Sequence, residues 1–254
     1  MCLWDKVFSM NRTVTATNMS VKATSGSSLV ISKSTNFTAG SVEVTNSVDI
    51  TVMPSTKYDS QTGEGGAALT ASKDLVYVAN PSEVDPNTGL KKATGSALYY
   101  AAADTASTDG GTIGYYYDYI YYLAAEGAED ITTGALKITI APTDAATEVT
   151  SPGTGTEQVL RAASVLVYVN DTLVTTSPIV IKDGANKQSL QALSSSVKIP
   201  KGAPGDVTGA MKVTLRLFID GALEDEAGVS TYVRNANVIN LTRELSFDCR
   251  FDVE

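Results

Sequence analysis

Leu245, Phe247, Cys249, Phe251 and Val253 alternate with Ser246, Asp248, Arg250 and Asp252. A side-chain period of two puts the first set on a buried face and the second on a wet one, so the segment reads as a β-strand. Met211, Val213, Leu215, Leu217 and Ile219 repeat the pattern and run into the turn dipeptide Asp220-Gly221. Ala163 to Val169 predicts another strand, which Asn170-Asp171 turns towards Thr172 to Ile181. Leu136, Ile138 and Ile140 predict a shorter one. Val42 and Val44, then Val48, Ile50 and Val52, predict two strands or one bulged strand, and Leu75 to Val78 a short buried one. Helix signals are weak: one or two turns at Ser189 to Leu193, and a short helix within Asp85 to Ala103.

Strands at this spacing, with no helices alternating between them, predict an all-β fold: a jelly-roll-like β-sandwich with long loops and at most short helices. The Gly- and Thr-rich stretches Ser60–Ala68, Asp104–Gly114 and Thr150–Glu157 read as those loops. Strands resume after each, so residues 25–254 are expected to form a single domain behind an N-terminal segment, residues 1–24.

That segment has its own pattern. Val14 and Ala16 share a face, and the apolar face then restarts at Met19, Val21 and Ala23, one position out of step. A bulge or crossing near Asn18 accounts for the slip. The strand has two readings: an ordinary first strand of its own sheet, or a strand lent to a neighbouring subunit.

Composition narrows the function. The chain has 254 residues, 19 Lys and Arg against 28 Asp and Glu, and a formal charge of −9, which argues against a nucleic-acid partner. It has no histidine, so Ser-His-Asp and Cys-His pairs and His-ligated zinc are excluded. Its two cysteines, Cys2 and Cys249, make neither a four-cysteine zinc site nor a CxxC pair. No enzyme activity, metal or cofactor is expected. Thr and Ser, 31 and 24 residues, suit strands and turns of an extracellular or particle-forming protein. No apolar run is long enough to span a membrane. Met1 to Met10 is too short for a signal peptide, so either a leader has been removed or the chain is not exported.

Phe8 to Met19, FSMNRTVTATNM, resembles the start of mature TasA-like and camelysin-like proteins of Gram-positive bacteria. Ala163 to Thr172 is similar to that family's penultimate hairpin, Val213 to Gly221 to a later strand, and Leu245 to Val253 to its closing strand. The resemblance implies a secreted jelly-roll subunit of a cell-surface filament or biofilm matrix. Such subunits polymerise with themselves by donor-strand complementation, with Val14, Ala16, Met19, Val21 and Ala23 as donor positions here. An open sheet edge is a template for a further strand. The metalloprotease activity attached to camelysins does not carry over, because this chain has no histidine.

Rival readings remain. Tyr115-Tyr116-Tyr117-Asp118-Tyr119-Ile120-Tyr121-Tyr122 holds six of the twelve tyrosines. As an exposed row, Tyr115, Tyr117, Tyr119 and Tyr121 would make a subunit interface or a platform for sugar rings; otherwise they belong to a strand packed on both faces. The chain would then be a carbohydrate- or surface-binding module. A phage tail or capsid-type structural protein is a further alternative. Asp220, Glu224, Asp225 and Glu226 have no calcium-loop spacing and read as a solvated acidic loop. Five Asn-x-Ser/Thr sequons, at Asn11, Asn18, Asn36, Asn170 and Asn240, are expected by chance in so Thr-rich a chain. Cys2 and Cys249 are either free thiols or, in an exported protein, a candidate disulfide within or between subunits.

Overall fold

The computed structural model describes residues 10–23, 28–83, 91–126, 129–132, 135–142, 163–181, 188–190, 198–202, 205–221 and 245–253. These form β1 (Met10–Ala23), β2 (Ser28–Ser32), β3 (Asn36–Phe37), β4 (Glu43–Val52), β5 (Pro54–Lys57), β6 (Leu75–Val78), β7 (Tyr100–Ala102), β8 (Tyr117–Glu126) and β9 (Leu136–Pro142). They continue with β10 (Ala163–Val169), β11 (Thr172–Leu173), β12 (Ile179–Val180), β13 (Gln188–Leu190), β14 (Lys201–Gly202), β15 (Gly205–Asp206), β16 (Met211–Asp220) and β17 (Leu245–Val253).

The strands build a two-sheet sandwich. One sheet has the order β13-β9-β17-β1-β4. The other runs β10-β16-β8-β2, with β11 and β12 on the outer side of β10 and β14 beside the end of β8. From the end of β16 it extends through β5, β6 and β7, and β3 pairs with β15 in a small separate ribbon. The longer strands alternate between the sheets in chain order: β1, β4, β9, β13 and β17 in the first, β2, β8, β10 and β16 in the second. The all-β sandwich expected from the alternation is the fold observed. Among the described residues helix is limited to single 3-10 turns at Glu64–Gly66 and Pro81–Glu83, and no helix is long and apolar enough to cross a membrane.

The core lies between the sheets. β17 contributes Phe247, Cys249, Phe251 and Val253, β9 contributes Leu136, Ile138 and Ile140, and β4 contributes Val48, Ile50 and Val52. Opposite them stand Tyr119, Tyr121 and Leu123 of β8, Val165 and Val167 of β10, and Val213, Leu215 and Leu217 of β16. Each set is one face of a period-two strand, as the sequence predicts. Val44, Val48, Ile50 and Val52 belong to one unbroken strand, and the bulge lies instead on its partner β1.

The second face of the central strands departs from the expectation of a wet side. Thr214, Arg216, Phe218 and Asp220 of β16 are buried, as are Ser164, Leu166 and Tyr168 of β10. Residues from the segment between β5 and β8, including Leu75, Ala103 and Tyr116, pack over Leu166, Tyr168 and Phe218 as a second small core. At the other end Phe37 and Val207 cover Val30 and Ala124 in the same way. The sandwich therefore carries an outer layer on one sheet.

The Asn170-Asp171 turn is as expected. Both residues have positive φ, 48° and 65°, which gives the two-residue turn whose twist suits a hairpin; Tyr168 then pairs with Leu173 and Val169 with Thr172. The expected strand Thr172 to Ile181 is split into β11 and β12. In the gap the Thr175 hydroxyl accepts the Val167 amide at 3.2 Å, replacing a ladder bond.

Neither helix expectation is met among the described residues. Within Ser189 to Leu193, Ser189 and Leu190 lie in β13, antiparallel to β9; residues 191–193 lie outside the described residues. Within Asp85 to Ala103, residues 85–90 lie outside them, and the rest holds turns and β7, paired with β6. Sheet pairing overrides the weak local preference in both places.

Candidate functional site

β1 occupies an interior position of the first sheet. It runs parallel to β17, with Val14 opposite Leu245 and Ala23 opposite Val253, and antiparallel to β4, with Met10 opposite Val52 and Ser20 opposite Glu43. β4 and β17 do not pair with each other, so β1 is the strand that joins them. The slip expected near Asn18 is present in both ladders, after Ala16. Val21, one of the donor positions, is buried and opposite Phe251, and its amide also reaches the Val42 carbonyl at 3.2 Å. Val14, Ala16, Met19 and Ala23 all hold register positions in this slot. Here the slot is filled by the chain's own β1.

The four tyrosines do not form an exposed row. Tyr119 and Tyr121 are both 0% exposed, while Tyr115 and Tyr117 are half-buried. β8 lies between β16 and β2 and its inward face meets the first sheet, so its aromatic residues pack in the sandwich. Tyr119 lies edge-on to Tyr117 at 4.9 Å and to Phe247 at 5.9 Å, and parallel to Tyr121 at 6.5 Å. Tyr115 leaves the row and stacks on Tyr77 at 4.5 Å. Burial pushes the phenols of Tyr119 and Tyr121 well above the ordinary tyrosine range.

Sequence reasoning missed a buried polar cluster on the far side of β8. Arg216 donates from Nε and Nη2 to the two Asp118 oxygens at 2.8 and 2.7 Å, and from Nη1 to the Lys73 carbonyl at 2.8 Å and the Tyr168 hydroxyl at 3.0 Å. Its guanidinium lies 4.2 Å from the Tyr116 ring centroid and 4.6 Å from that of Tyr168. The Tyr168 hydroxyl in turn donates to the Asp74 carboxylate at 3.0 Å. Burial alone would lower the Arg216 pKa, but its hydrogen bonds and charge pairing with Asp118 outweigh that and hold it above the ordinary value. With its donors committed inside the chain, Arg216 clamps the outer layer to β16. The only signal in the sequence is one arginine amid the apolar residues of that strand.

The remaining candidates are placed as follows. Cys249 carries a free, fully buried thiol, pushed well above its ordinary pKa by burial; Cys2 lies outside the described residues. Asp220 is buried at the end of β16, and Glu224, Asp225 and Glu226 lie outside the described residues. Among the described residues no three His, Cys, Asp or Glu side chains come together as a metal site. A recess of about 170 Å³, lined by Asp49, Thr51, Gly110 and Gly111, is smaller than the few hundred Å³ typical of a small-molecule site. No family model, no curated protein and no solved structure matches the chain.

Proposed function

We propose that the chain is a structural subunit that polymerises outside the cell by exchanging β1 between copies. The observation that carries this reading is the interior position of β1 between β4 and β17. A second copy's β1 seated there would make the same backbone ladder on both sides, so exchange preserves the pairing while joining two molecules. Withdrawal of β1 would bare two facing edges, each a template for a strand. In sequence β1 is separated from β2 by the four small residues Thr24-Ser25-Gly26-Ser27. The resemblance of Phe8 to Met19 to TasA-like and camelysin-like proteins points the same way.

The test is removal of residues 1–24. The shortened chain should stay in solution and form no filaments in negative-stain micrographs, and a peptide spanning Asn11 to Ala23 should bind it. Filaments of parental length from the shortened chain would refute the proposal.

A further inference from the structure

β4 is the last strand of its sheet, and β1 takes only one of its two edges. On the other edge the Asp49 amide donates to Asp109 Oδ1 at 2.7 Å, and the Asp49 carbonyl accepts the Gly110 amide at 2.7 Å. Further along, the Thr51 carbonyl accepts the Gly114 amide at 3.3 Å and the Ser107 hydroxyl at 2.6 Å. The Met53 amide donates to the Gly114 carbonyl at 2.7 Å, so Gly114 makes one parallel bridge, opposite Val52. At Asp49 a carboxylate oxygen stands where a neighbouring strand would place a carbonyl. The Asp104–Gly114 stretch, which reads in the sequence only as a long loop, therefore fills the outer edge of β4 from Asp49 to just past its end.

The loop is anchored at its base and curled at its tip. Ser107 and Gly114 are buried; the Ser107 amide donates to the Tyr116 carbonyl at 2.7 Å and the Tyr115 amide to the Thr105 carbonyl at 2.9 Å. Residues 108–113 are exposed. Across them the Thr108 amide donates to the Thr112 carbonyl at 3.1 Å and the Thr112 amide to Thr108 Oγ1 at 2.7 Å, while Gly110 takes a φ of 61°. The curl decides what the loop does to the sheet. A further strand on β4 would only move the open edge outward, whereas a turn offers no straight row of donors and acceptors to a next strand. The edge so covered belongs to a strand rich in Val, Thr and Ile, the residues that pair most readily when left open.

We infer that the Asp104–Gly114 loop is a guard that closes the outer edge of β4 to pairing with the same edge of a second copy, with Asp109 as its latch. Asp109 and Gly110 hold the exposed tip on the strand, and Ser107 and Gly114 hold the base. With the latch released, Asp49 presents its N–H and C=O side by side, the two groups that a residue exchanges with its opposite number in an antiparallel pair. Two such edges are self-complementary, so a second copy fits by a two-fold rotation. The guard acts on the side of β4 that faces away from β1, and so is independent of the exchange of β1.

Asp109→Ala removes the latch, and Asp109→Asn keeps an oxygen acceptor in its place. Hydrogen exchange of the Asp49 amide should speed up by about tenfold or more in the first, the loss of one charge-assisted hydrogen bond, and by less in the second. Sedimentation velocity at equal concentration then reads the pairing. Dimers and larger species should exceed the parent's in Asp109→Ala, and exceed them further when Gly110→Pro removes the second hydrogen bond as well. Association through β1 enters parent and variants alike. Asp49→Pro in the Asp109→Ala background removes the edge donor without removing a bond to β1, and should return association to the parent's level. Asp109→Ala alone carries the test if the variant with Gly110→Pro does not fold. An unchanged Asp49 exchange rate in Asp109→Ala, association equal to the parent's despite faster exchange, or association that survives Asp49→Pro overturns the inference.

Discussion

Replacing Arg216 by methionine keeps most of the side-chain volume and removes the charge and its donors. Four hydrogen bonds are lost, two of them to Asp118. Removing one partner of a fully buried ion pair costs about 3–5 kcal/mol, because the other charge is stranded. The Asp118 side chain is 25% exposed, against 8% for Arg216, so water compensates part of that loss. The Tyr168 hydroxyl, whose single proton is donated to Asp74 at 3.0 Å, lies 3.3 Å from the Lys73 carbonyl as well and cannot serve both. A destabilisation of about 2–4 kcal/mol follows. With a urea m-value of about 2–3 kcal/mol/M, the unfolding midpoint should fall by about 0.7–2 M at pH 7. Arg216→Lys keeps the charge without the planar fork and should fall between the parent and the methionine variant. A pair this enclosed is weakly screened, so the loss should persist in high salt. A loss below about 1 kcal/mol, or one that high salt abolishes, would show that Arg216 behaves as an ordinary surface cation and refute the clamp.

Two further outcomes follow from the packing. The buried Gly114 donates to the Thr51 carbonyl at 3.3 Å and accepts from the Met53 amide at 2.7 Å; a Cβ there would collide with backbone atoms of Thr105, Ala106 and Ser107, so Gly114→Ala should lower stability by about 1–3 kcal/mol in the same urea assay. The phenols of Tyr119 and Tyr121 titrate above their unfolded value near 10 and the Cys249 thiol above its own near 8.5, so their contribution is complete below those values and is lost as pH rises through and beyond them. Denaturation curves should therefore weaken from about pH 9 upward, each fully protected phenol adding about 1.4 kcal/mol per pH unit above pH 10, and native Cys249 should resist thiol reagents until urea unfolds the chain. Flat stability from pH 8 to 11, or rapid labelling of native Cys249, would contradict this burial.

The strands legible in the sequence are those whose signal is local. Met211 to Ile219, Leu136 to Ile140 and Phe247 to Val253 alternate with period two because each has one face on the shared core, and that face is written into the chain itself. The slip of β1 near Asn18 was legible for the same reason: a change of phase in the alternation is the imprint of a bulge. The Asn170-Asp171 hairpin needed only two residues that tolerate positive φ.

What alternation does not encode is the partner. The longer strands cross to the opposite sheet in turn, so β1 finds β17 and β4, and β16 finds β8 and β10, across long stretches of chain. Tertiary structure alone decided that Tyr119 and Tyr121 face the core and not a partner or a sugar, because a tyrosine strand has the same sequence in either setting. It also decided that the polar face of β16 is covered. Arg216 is an outward residue by its position and a buried one by its neighbours, and those neighbours come from Lys73, Tyr116, Asp118 and Tyr168, distant in sequence and brought together only when the outer layer closes.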